Sequence, residues 1–118
     1  MNDRDIRLVF AERFLRNAKR LQKKYRHIQD AIRELTEQLK RGETPGERIQ
    51  GIAYVVFKVR IRNTDAGKGK RGGYRVIYYV KTEDRIVLLT IYAKSEQTDI
   101  SSENIQRIIE ETPGNLPD

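Results

Sequence analysis

The stretch "YVVFKVRIRNTDAGKGKRGGYRVIYYVKTEDRIVLLTIYAK", Tyr54–Lys94, decides the fold. Its first nine residues alternate with a period of two. Val55, Phe57, Val59 and Ile61 fall on one side, and Tyr54, Val56, Lys58, Arg60 and Arg62 on the other. That pattern predicts a half-buried strand. "NTDAGKGKRGG" (Asn63–Gly73) reads as a long loop. "YRVIYYV" (Tyr74–Val80) is apolar on both sides except at Arg75, as a central strand requires. "KTED" (Lys81–Asp84) is a tight turn, and Arg85–Lys94 forms a further strand. In it, Thr90, Tyr92 and Lys94 share one side, and Leu89, Ile91 and Ala93 lie opposite.

Toward the N-terminus, "IRLVF" (Ile6–Phe10) predicts a short strand. From Ala11 to Tyr25, Phe14, Ala18, Leu21 and Tyr25 recur at helical spacing. A second helix spans His27–Arg41, with Ile28, Ala31, Ile32, Leu35 and Leu39 on its inner side. Gly42, Pro45 and Gly46 stop it. The short link between the two predicts an antiparallel helical hairpin. After Lys94, a final helix runs from Ser101, its candidate cap, to Glu111, with Ile105, Ile108 and Ile109 as its apolar stripe. The tail, 112–118, reads as a frayed end. The order β-α-α-β-β-β-α predicts an α+β domain over residues 1–118, a helical hairpin packed on a small, mainly antiparallel sheet. The helices should cover one face and leave the other open.

The chain has 118 residues, no cysteine and a net charge of +7. It is long enough for a core without metal or disulfide staples. Thiol catalysis and cysteine-based zinc sites are excluded. No apolar run approaches the roughly 20 residues of a membrane span. "MNDRDIRLVF" lacks the apolar core of a signal peptide, so a cytoplasmic location is expected. The charge is segregated. Residues 13–26 hold seven Lys/Arg and no acid, residues 58–75 hold seven against Asp65, and the remainder is acidic. Such segregation favours a polyanionic partner.

If Arg75 points to the side of Lys58 and Tyr92, one open face gathers Lys58, Arg60, Arg62, Arg75, Tyr92 and Lys94, with Lys68, Lys70 and Arg71 at its rim. Like charges across a sheet repel, so the cluster either splays into water or meets an anion. Arginine suits phosphate, because its planar fork bonds two oxygens at once. Gly67, Gly69, Gly72 and Gly73 would let backbone amides approach a ligand. The loop lacks the GxxxxGK[ST] spacing of nucleotide hydrolases. Taken singly, the loop charges fit a solvated hairpin, the 13–26 block fits an exposed helix face, and the tyrosines fit strand packing. Arg75 is different, since an arginine among apolar neighbours needs a partner. His27, the only histidine, reads as a surface or capping residue. The acids are scattered, and no carboxylate pair argues for a metal site.

"FKVRI", "GKGKRGGYRVIYYV" and "LLTIYAKSEQTDIS", in that order, resemble toxins of the RelE/ParE superfamily of type II toxin–antitoxin systems, most closely the HigB-like RelE toxins. The resemblance covers Phe10 to Ile109. It implies a messenger-RNA-cleaving endoribonuclease acting in the ribosomal A site. The ribose 2′-hydroxyl would attack the neighbouring phosphate without a metal or other cofactor. Arg75 matches the phosphate-stabilising arginine of the pattern. Lys58 and Arg60 fall where relatives carry basic catalytic or substrate-binding residues, and Lys94 matches the lysine ending the last strand. Tyr92 and Lys94 are the candidates for the general base. Arg60, Arg62, Lys68, Lys70 and Arg71 would bind RNA. The family also implies an antitoxin whose acidic, partly disordered segment covers the cations, and operator DNA bound only through the antitoxin complex. Two other readings are a ParE-like inhibitor of DNA gyrase and a basic nucleic-acid-binding module without catalysis.

Overall fold

The computed structural model describes residues 5–63 and 73–112. Lys68, Lys70 and Arg71, and the glycines at 67, 69 and 72, lie outside them. The elements follow as β1 (Arg7–Phe10), α1 (Glu12–Gln22), α2 (Ile28–Lys40), β2 (Glu47–Arg48), β3 (Val56–Ile61), β4 (Tyr74–Thr82), β5 (Arg85–Ala93) and α3 (Ser102–Glu111). The strands form one sheet in the order β1-β5-β4-β3-β2. Among the described strands only β1 pairs in parallel, with β5; the other three pairings are antiparallel. The α+β class and the antiparallel meander are as expected. The two-residue β2 is additional, too short to carry a period.

Each helix forms where apolar residues line one side. In α1 these are Phe14, Ala18 and Leu21; in α2 they are Ile28, Ile32, Leu35 and Leu39. The hairpin bend is plugged by Tyr25, whose ring stands edge-on to Tyr74 at 5.6 Å. Gly42, at φ 91°, follows α2 and turns the chain away. Both helices pack on Val59, Val76, Tyr78, Leu88 and Ile91. Phe57 and Ile61 join them, so the predicted parity of β3 holds.

The other face is not left open. Ile105, Ile108 and Ile109 of α3 pack there against Val56, Ile77, Val87 and Leu89, with Ile52 and Tyr54 alongside. Each fully buried isoleucine contributes about 1.5–3 kcal/mol, which is what holds α3 down. An apolar stripe says that a helix packs, not on which face. Ser101 does cap α3: its Oγ accepts the Asn104 amide at 3.2 Å.

The parity expected for β5 fails at one point. The β4–β5 register shifts between Ile77 and Tyr78, which pair with Thr90 and Leu88. Leu89 is the extra residue of a β-bulge. It joins the α3 core, while Ile91 and Ala93 join the hairpin core. Alternation resumes beyond it, so Thr90 again stands opposite Ile77 and Tyr92 opposite Arg75.

Candidate functional site: a cationic row across three strands

The α3 core fills one end of its face and extends to Tyr92. At the other end the register sets Arg60 opposite Arg75, and Arg75 opposite Tyr92. Three strands thus contribute one row. The amide of Val80 donates to the carbonyl of Val55, and the alternation that follows makes Arg60–Arg75 a non-hydrogen-bonded pair. Its Cα atoms are therefore about 4.5 Å apart, the closer of the two spacings. Two guanidinium groups so placed repel each other unless an anion lies between or above them. Lys58 precedes Arg60 by two residues on the same side of β3. Lys94 follows Tyr92 by two, just past the end of β5.

Backbone contacts fix these strands closely. Gly46, at φ +99°, lies against the backbone of Lys58 and Val59, where a Cβ would collide. Gly73, at φ +59°, leaves no room for a Cβ beside the Ile61 carbonyl. Its own carbonyl accepts the Lys94 amide at 2.9 Å. Of the four loop glycines, Gly73 therefore serves strand contact. It closes the ladder where β3, β4 and the end of β5 meet.

The side chains differ in setting. Arg60 and Arg62 are exposed, Lys58, Arg75 and Lys94 half-buried, and Tyr92 is buried. Tyr92 shares the face of Arg75 as expected, but beneath the surface. Its hydroxyl is buried and has no hydrogen-bond partner among the described residues. Burial pushes the phenol above its ordinary value, the charge of Asp99 adds to this, and Arg75 works against it. The phenol therefore favours holding its proton. Arg62 lies past the end of β3. With Arg60, it reaches the rim of a groove of about 680 Å³ between α2 and the outer edge of β3, which His27 and Glu34 also line.

Sequence reading passed over one acid. Asp99 Oδ1 lies 3.5 Å from Lys58 Nζ and accepts the Ile100 amide at 2.8 Å. That amide, then Lys58 and Lys94, hold its carboxyl below the ordinary value against the opposing effect of burial. Lys94 Nζ donates to the Thr98 carbonyl at 2.9 Å. Glu96, on the same segment, pairs with Arg20 of α1 at 3.1 Å and with Lys24, in the turn after it, at 3.6 Å. The only hint in the sequence was the place of Asp99 in the "YAKSEQTDIS" motif.

The basic block 13–26 is partly answered within the chain: Arg13 pairs with Glu111, Arg16 with Glu12, and Arg20 and Lys24 with Glu96. Arg60 and Arg62 have no ion pair among the described residues. Nor do three of His, Asp and Glu stand close enough there to share a metal ion. No described helix is long and apolar enough to cross a membrane.

The fold is an α+β domain with a basic sheet end floored by Tyr92. The family model for the RelE toxin of the RelE / RelB toxin–antitoxin system matches residues 7–112. The chain belongs to that family. It is a toxin of a toxin–antitoxin system, and a cognate antitoxin is its implied partner.

Proposed function

We propose that the chain is an endoribonuclease that cleaves messenger RNA on the ribosome. The observation that carries this reading is the Arg60–Arg75–Tyr92 row, flanked by Lys58 and Lys94. The ribose 2′-oxygen attacks the adjacent phosphorus and loses its proton. The P–O5′ bond breaks and the 5′-oxygen gains a proton. The products are a 2′,3′-cyclic phosphate and a 5′-hydroxyl. Charge grows on the phosphoryl oxygens in the transition state, so preorganised cations accelerate the step. Arg75 and Arg60 hold those oxygens, and Lys58 adds charge beside them. Tyr92, with its proton held firmly, suits donation to an oxygen better than removal of the 2′ proton, once bound RNA draws its buried hydroxyl outward. Lys94 is then the remaining candidate for the base. All these steps use protein groups. Arg62, Lys68, Lys70 and Arg71 bind the flanking RNA, and the antitoxin silences the site by laying an acidic segment across the row.

Arg75→Ala tests this reading. Cleavage of messages on programmed ribosomes should fall about 10²–10³-fold, as for loss of one oxyanion donor. Naked RNA assayed in parallel shows whether the ribosome is required. Primer extension after induction should find discrete cuts. Intact messages with an SOS response would overturn the reading in favour of gyrase inhibition.

A further inference from the structure

Building on that reading, we propose that Asp99 is a positioning residue: it holds the Lys58 ammonium at the edge of the Arg60–Arg75–Tyr92 row, so that an incoming phosphate meets a preset charge.

The geometry that supports this is a short clasp, residues 95–100, folded over the end of the sheet. Its root is fixed by the Glu96 and Gln97 amides, which both donate to the Ala93 carbonyl, at 2.9 and 3.1 Å. Its two acids, three residues apart, reach in different directions. Glu96 takes Arg20 of α1 and Lys24 of the turn that follows it. Asp99 takes Lys58 of β3, 41 residues away in sequence. Asp99 is itself braced: Oδ1 accepts the Ile100 amide, and its carbonyl accepts Gln97 Nε2 at 2.9 Å. A carboxylate fixed by its own backbone can orient a flexible lysine, whereas a mobile one cannot.

Lysine needs such help more than arginine does. Its ammonium is a point charge on a four-carbon stem with many rotamers. Left alone on the face of β3, Lys58 would sample positions away from the phosphate, and transition-state stabilisation depends on charges that need not reorganise. Because the pair is largely exposed, its effect is modest.

The test compares Asp99→Asn, Lys58→Gln and the double variant. With RNA cleavage as the readout, Asp99→Asn should lower kcat about three- to fivefold and change KM little. The same substitution should have no further effect in the Lys58→Gln background. A role limited to bracing the start of α3 would persist in that background, and persistence overturns the proposal. A fall in KM with kcat kept also overturns it, because the carboxylate would then only compete with phosphate. A second measurement does not depend on cleavage: the nitrogen-15 NMR order parameter of the Lys58 ammonium. It should fall in Asp99→Asn, and an unchanged value overturns the proposal. If the wild-type chain cuts no RNA, the nuclease reading fails, and the NMR result alone decides whether Asp99 holds Lys58.

Discussion

Tyr92 sets chemistry against stability within one side chain. A buried hydroxyl with no partner among the described residues carries a desolvation cost of about 1–3 kcal/mol. Tyr92→Phe removes it and should leave the melting temperature unchanged or higher, while RNA cleavage falls at least tenfold. Equal losses of stability and cleavage would show that the hydroxyl is structural. Its titration gives a second handle. Folding raises the phenol above its ordinary value of 10.0. The protonated ring's contribution is therefore complete below pH 10 and lost as pH climbs from there toward the raised value. Tyr92→Phe should soften the alkaline fall of the melting temperature relative to wild type. Gly73→Ala is the converse case. Forcing a Cβ into a left-handed backbone against the Ile61 carbonyl should cost about 1–3 kcal/mol in denaturant unfolding.

Among the elements, the strands and helices with a clean period were readable, because alternation and helical spacing report burial directly. Parity alone put Lys58 and Arg60 on one side of β3; that Arg75 and Tyr92 share it was a condition left open, which the register meets. Three features were not readable, each for a physical reason. Glu47–Arg48 is too short to show a period. The bulge at Leu89 is set by pairing with a distant strand. The side on which α3 docks depends on how the chain after Lys94 turns, and that turn rests on contacts with α1 and β3. For the same reason Tyr92 was expected at an open surface, and Asp99 was not seen at all. The α3 core gives a direct check. Ile108→Ala should destabilise the protein by about 2–5 kcal/mol. Arg60 and Arg75, held by β3 and β4, should keep their place, so cleavage measured well below the lowered melting point should survive. A loss of cleavage at temperatures where the variant is fully folded would show that α3 shapes the site.

Across the whole molecule, charge is sorted between answered and unanswered cations. In the block 13–26 four basic residues, three of them on α1, find acids of the same chain, while Arg60 and Arg62 find none among the described residues. Single-stranded RNA binding should follow this division. Each phosphate contact contributes about −0.7 to the slope of log affinity against log salt. Arg60→Ala should flatten that slope by about 0.7, and Arg16→Ala should hardly change it; anisotropy titrations from low to high potassium chloride distinguish the two. The clasp through Glu96 complicates such titrations in an informative way. It ties the outer helix to the sheet by ion pairs that water can reach, so dissolved electrolyte loosens the apparatus before any nucleic acid arrives. Turnover and affinity should then decline with ionic strength for separate reasons, one mechanical and one competitive.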